Sequence, residues 1–398
     1  MTGLSRAADA PYDRPVMNTQ LKSIAEKVYA GQRLSAEDGL TLLESRDIWT
    51  IGEMAHHVRQ KRHGRKAYYN INRHLNYTNI CALSCKFCAF HRKKNQPGAY
   101  EYSLEQIVEQ ARQAAAGGAT EMHIVGGLHP ELPFSYYTQM LQAIRQATPQ
   151  LHIKAFTAVE VVHLARISKR GRDIPGVLAE LKQAGLGSLP GGGAEVFDDR
   201  VHDEAFKGKI RSDKWLEVHT AAHELGLMSN ATILYGHIES LEDRVQHFCL
   251  LRDAQDRAIE GGHAGRFQTV IPLPFVPDDS ELGHLYGPTG LDDLKMLAVS
   301  RLMLDNFAHV KAFWIMQTLE LAQLALDFGV DDMDGTVVWY DITKLGGGDT
   351  HQEVTAGELQ RVIREAGYDP VERDTLYRPV VRQGASWSVQ QEPAVALG

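Results

Sequence analysis

Three of the chain's four cysteines fall within eight residues, as Cys81, Cys85 and Cys88. The spacing C-x3-C-x2-C is one ligand short of a closed site. A [4Fe–4S] cube has four irons, each normally bound by one thiolate. Three clustered thiolates hold three irons and leave the fourth open to bind a small molecule and pass it an electron. A structural zinc ion needs four ligands, usually as two separated pairs. No second pair exists: Cys249 stands alone in Val245–Leu251, which reads as a buried helix face. His91, three residues after Cys88, could complete a zinc site of three cysteines and one histidine. An iron–sulfur cluster is the expected occupant, with zinc as the alternative. A disulfide framework does not suit an odd cluster in a long chain poor in cysteine.

With 398 residues, 43% of them hydrophobic, the chain can bury a core large enough for one α/β domain with terminal additions. No apolar run approaches the roughly 20 residues of a membrane span. The first residues lack the apolar stretch of a secretory signal, so the expected location is the cytoplasm, away from membranes. The formal charge of −8 argues against a general nucleic-acid binder. The basic run from His56 to Lys66 reads as the solvated end of a helix.

The elements that must position the cysteines follow from periodicity. Residues 19–62 are expected to be largely helical, including a helix from Ser35 to Leu43 with Ser35 as N-cap. From about residue 70, apolar strands at Leu75–Ile80, Glu121–Val125, His152–Phe156, Ser188–Leu189, Asn230–Tyr235 and Gln268–Leu273 alternate with helices. The helices are placed at Leu104–Ala116, Phe134–Ala147, Ile174–Ala184, Lys214–Leu225 and Leu241–Arg257. Further helices are expected around Leu291–Asn306 and Leu319–Phe328, and a poorly ordered tail from Pro379. Such alternation implies parallel βα units, hence a barrel or an open doubly wound sheet, with the active site at the C-terminal ends of the strands. The suspicious residues fall there. The cysteine loop follows the first strand, Gly126-Gly127-Leu128-His129-Pro130 the second and Thr157–Glu160 the third. Pro190-Gly191-Gly192-Gly193-Ala194-Glu195 follows the fourth and Tyr235–Glu239 the fifth. His129 and His237, in strand-end loops, could pair with a carboxylate or move a proton. Tyr235, Gln268 and Arg301 are weaker candidates, and Arg301 is expected at a surface or between domains.

At this point the cysteine loop resembles the radical S-adenosylmethionine superfamily, whose signature has an aromatic residue before the last cysteine, here Phe87. The resemblance implies a partial or full (β/α) TIM-like barrel with helical N- and C-terminal additions. It divides the chain into a helical extension (1–66), a barrel core (67–310) and a C-terminal extension (311–398). It also implies a [4Fe–4S] cluster on Cys81, Cys85 and Cys88. The open iron would chelate S-adenosylmethionine, and one electron would break its C–S bond to give a 5′-deoxyadenosyl radical. Phe87, Gly126, Gly127, Glu160, Glu195 and Gln268 are the expected cofactor-binding residues.

Within the superfamily, the stretches Asn70–Cys81, Lys86–Phe90, His123–Pro130, His152–Glu160 and Ser188–Glu195 are similar to the aminofutalosine synthase family of menaquinone biosynthesis. That similarity implies addition of the adenosyl radical to the enol ether of 3-[(1-carboxyvinyl)oxy]benzoate, aryl migration and loss of one carboxylate, giving 6-amino-6-deoxyfutalosine. It implies a reducing partner such as flavodoxin or ferredoxin. A dicarboxylate substrate needs cationic or hydrogen-bonding partners; Arg73, His129 and His237 are the candidates, with Tyr235 a candidate for quenching the final radical. The sister dehypoxanthine futalosine cyclase and the deazaflavin synthase subunit share the cysteines. A non-catalytic zinc or redox-relay protein is the alternative from another class.

Overall fold

The computed structural model describes residues 19–168, 173–337 and 353–390. Its frame is a seven-stranded parallel sheet: β2 (Asn72–Leu75), β3 (Glu121–Ile124), β4 (His152–Ala155), β5 (Ser188–Leu189), β6 (Met228–Tyr235), β7 (Phe267–Pro274) and β8 (His309–Val310). The spatial order is the chain order, so each strand pairs with the next and no reversal occurs. A doubly wound sheet would reverse; a singly wound one curls into a partial barrel. Helices separate consecutive strands and pack outside. The open side is lined by a second parallel sheet in which β1 (Lys66–Asn70) lies between β9 (Asp332–Gly335) and β10 (Asp369–Glu372). The small sheet thus pairs the first strand of the expected 67–310 core with two strands of the expected C-terminal extension.

Local signals placed the helices. Ser35 and Asp38 form a reciprocal capping box at Ala36–Glu44, and Ser103 with Gln106 does the same at Leu104–Ala116. The expected strand Leu75–Ile80 lies earlier. Beyond Leu75 the chain turns into loop because the side chains of Asn76 and Thr78 donate to the carbonyls of Val125 and Tyr100 (3.0 and 2.6 Å), replacing a ladder with side-chain bonds. Thr157–Glu160, expected as loop, opens the helix Ala158–Ile167.

Three further expectations are corrected. Part of the poorly ordered tail, β11 (Val380–Gln383) and β12 (Ser386–Val389), forms an antiparallel hairpin; residues 391–398 lie outside the described ones. The basic run is not all solvated. The Arg59 side chain is fully buried and donates to the carbonyls of Val330 (3.2 Å) and Lys66 (2.6 Å), tying the helix Ile48–His63 to the small sheet. Arg301 is also fully buried, not at a surface. Its guanidinium pairs with Asp331, and Nε donates to the Gly329 carbonyl at 2.8 Å. Asp331 is also 2.5 Å from His309 Nδ1. Burial pushes its pKa up, but His309, His63 and Arg301 outweigh that and hold it far below the usual carboxylate range. His63, His309 and Asp331 have metal-like spacing, yet a guanidinium already neutralises the carboxylate.

Candidate active site

One cavity of about 340 Å³ runs from the cysteine loop into the barrel. Its head is made by Cys81, Cys85, Cys88 and Phe87, its sides by the strand-end loops with Gly126, Gly127, Glu160, Gly191–Gly193 and Glu195, and its floor by inward-pointing strand residues. Cys85 is buried and the other two sulfurs are half-buried. Burial pushes the Cys81 thiol up, and the Cys85 thiol up to about 11, against the pull of Lys209. A metal would displace those protons. The Leu128 N–H donates to Cys81 Sγ at 3.4 Å. Three thiols at the head of one cavity, with no fourth cysteine in its lining, suit a cluster with one open iron.

Glu160 is the most completely bonded group in the cavity. Oε1 accepts from Tyr77 OH (2.9 Å) and the Gly126 N–H (3.0 Å). Oε2 accepts from the Thr157 N–H (2.8 Å) and its hydroxyl (2.9 Å). Burial pushes its pKa up to about 7 against these four donors. Glu160 therefore caps a helix and anchors the Gly126–Gly127 loop in one stroke. The glycines answer to packing. A Cβ on Gly127 would lie 2.3 Å from the Ile80 carbonyl oxygen, and one on Gly126 2.6 Å from the Tyr77 ring. Both clamp the loop against the segment leading into Cys81.

Glu195 sits in a left-handed conformation (φ 49°) and its carboxylate pairs with Lys209, which also lies 5.3 Å from the Phe87 ring centre. Glu195, Cys85 and Cys88 all hold the Lys209 ammonium charged against its burial. Lys209 escaped the sequence reading because its loop carries no strand-end signal.

Five expected site residues stand away from the cavity. His129 is buried under its own loop, its Nδ1 accepting from the N–H groups of Glu131 and Leu132 (both 3.1 Å) and its Nε2 lying 2.8 Å from Glu101. His237 donates from Nε2 to the Leu234 carbonyl at 3.1 Å, and burial pushes its pKa down. Tyr235 points outward, donating to Asp293 at 2.5 Å on the helix Gly290–Met303. Arg73 alternates with the inward His74 and so turns from the cavity. Gln268 sits where the β6–β7 register slips, between the pairs Ser229–Phe267 and Asn230–Thr269.

In their place the barrel interior holds a polar layer. His74, His123 and Lys154 are register partners across β2, β3 and β4, and Asn230, Lys311 and Asp334 complete the floor. Lys154 Nζ is 2.6 Å from Glu121 and Lys311 Nζ 2.8 Å from Asp334. Burial pushes the His74 pKa down to about 4 and that of His123 well below its ordinary value, so both rings are neutral. The alternation Asn72-x-His74-x-Asn76 and Glu121-x-His123 was the visible signal of an inward polar face.

The Radical SAM superfamily profile matches residues 75–251, and that of the CofH/MqnC C-terminal region residues 264–384. Aminodeoxyfutalosine synthase of Thermus thermophilus is 44% identical, over 92% of this chain and 98% of its own. The Streptomyces coelicolor enzyme of that name is 42% identical, over 89% and 93%. A 5-amino-6-(D-ribitylamino)uracil–L-tyrosine 4-hydroxyphenyl transferase of Methanopyrus kandleri is 35% identical, over 94% and 99%. Among solved structures, the hydrogenase maturase HydG of Carboxydothermus hydrogenoformans shares the fold, with TM-score 0.67 at 18% identity over 90% of this chain and 80% of that one. Methylornithine synthase gives 0.67 at 17%, over 87% and 97%. Among the described residues, no helix is long and apolar enough to cross a membrane.

Proposed function

Because the chain belongs to the radical S-adenosylmethionine superfamily and carries the C-terminal region of the CofH/MqnC group, we propose that it is an aminodeoxyfutalosine synthase. As a superfamily enzyme it uses a [4Fe–4S] cluster and S-adenosylmethionine. The proposed reaction joins the 5′-deoxyadenosyl carbon to the enol ether of 3-[(1-carboxyvinyl)oxy]benzoate, with aryl migration, loss of one carboxylate and release of methionine. The observation that carries the proposal is the continuous cavity, with three thiols at its head, an apolar side and a polar floor that includes two lysine ammonium groups. That shape suits an aromatic acid lying below an adenosyl group.

Cys81, Cys85 and Cys88 would hold the cluster. When bound, the cluster and S-adenosylmethionine supply a carbon radical at the head of the cavity. The chain's own groups do the rest. Glu160 holds the Gly126–Gly127 loop, which closes one side. The Lys209 ammonium, beside Cys85 and Glu195, offers a cation to a carboxylate at the head. Ile271, Leu273, Phe275, Phe313 and Met316 line the other side and keep water from the reacting centre. A reductant such as flavodoxin or ferredoxin would deliver the electron.

The 35% relatives favour a second reading, arylation of a ribityl-aminouracil by tyrosine. Anaerobic turnover of the reconstituted enzyme with dithionite, S-adenosylmethionine and each substrate set, read by mass spectrometry, separates the two. An adenosyl–benzoate adduct lacking one carboxylate supports the synthase. Free 5′-deoxyadenosine without adduct, or product from the uracil and tyrosine, overturns it.

A further inference from the structure

The two ammonium groups at the cavity floor have as yet no assigned partner on the substrate. Lys154 and Lys311 are each 3% exposed, rise from β4 and from the end of β8, and line the same cavity. Each has one carboxylate partner, Glu121 or Asp334, while an ammonium carries three donors. Two buried ion pairs side by side add little stability over apolar residues of the same volume. Buried charges gathered in a cleft are instead a mark of ligand handling. Asn230, 3% exposed, lines the same floor.

Geometry then orients the substrate. The reacting double bond must lie at the cysteine end. A rigid benzoate places its ring carboxylate at the opposite end, against the floor, with the ring on the apolar wall of Ile271, Leu273 and Phe313. Resting on the synthase reading above, we propose that Lys154 and Lys311 are the receptor for the substrate's aromatic carboxylate and select an anionic ring over a neutral one.

The test compares kcat/KM for the benzoate substrate and for its ring-carboxamide isostere, on wild-type enzyme and on K154M and K311M, with iron and sulfide content as the folding control. Wild-type enzyme should prefer the acid by roughly 10- to 150-fold, the equivalent of about 1.5–3 kcal/mol for a hydrogen bond to a charged group. Each variant should lose that preference through a raised KM for the acid, leaving the two substrates within about threefold. Equal rates on wild-type enzyme, or variants that keep the full preference, overturn the inference. If neither variant folds, the wild-type pair decides alone. Absence of adduct from the acid on wild-type enzyme would instead overturn the synthase reading, so the two failures are distinct.

Discussion

Replacing Glu160 by glutamine tests how the site is held together. The carboxylate is an acceptor for four donors, two on each oxygen. Glutamine keeps one acceptor oxygen and puts an N–H group in place of the other. On either side that N–H meets a backbone N–H, of Gly126 or of Thr157, which cannot rotate to become an acceptor. One buried backbone donor is orphaned, at a cost of about 1–3 kcal/mol. The pH dependence adds a signature. Burial raises the Glu160 pKa to about 7, above its ordinary 4.5. A group raised on folding contributes stability that is complete below the unfolded pKa and is lost as pH rises through the folded one. Between pH 6 and 8 wild-type protein should therefore lose about 1.3 kcal/mol that E160Q does not lose. The cost of the substitution should be largest near pH 6 and shrink toward pH 8. Urea unfolding of both metal-free proteins at these two pH values measures it, and all other titrations cancel in the difference. A gap that is zero at pH 6, or that widens toward pH 8, refutes the reasoning.

Alanine at Cys81, Cys85 or Cys88 should each abolish stoichiometric iron and sulfide on anaerobic reconstitution, whereas alanine at Cys249, on the helix Leu241–Glu260, should leave both intact; chemical iron and sulfide analysis decides. Gly127→Ala should destabilise by about 1–3 kcal/mol, since its Cβ would lie 2.3 Å from backbone oxygen, and a thermal midpoint equal to wild type would contradict the clamp. Arg301→Met strips the partner from fully buried Asp331 and should cost about 3–5 kcal/mol in urea unfolding, with the purified variant's iron content per folded chain unchanged. His129→Ala should leave KM for the aromatic acid within about twofold, because the ring faces Glu101 and its own loop; a tenfold rise would place it back at the substrate.

The cysteine triad, the capping boxes and the order of strands and helices were legible because each is a local pattern, set by spacing within about ten residues. Ser35 and Asp38, or Ser103 and Gln106, decide a helix start wherever the chain later goes. The loops that gather at the cavity were also legible, since a βα alternation dictates the end of the sheet to which they belong. The inward or outward sense of each side chain was not. A strand changes face at every residue, so Arg73 and Tyr235 could be placed at the right end of the barrel and still point the wrong way. Loop histidines fared likewise, because His129 bonds within its own loop and His237 back to the Leu234 carbonyl near the end of β6. Lys154 and Lys311 meet only when β4 and the end of β8 curve around one interior. Neither is marked by its neighbours in sequence, and only barrel curvature and register bring two distant lysines onto one cavity floor.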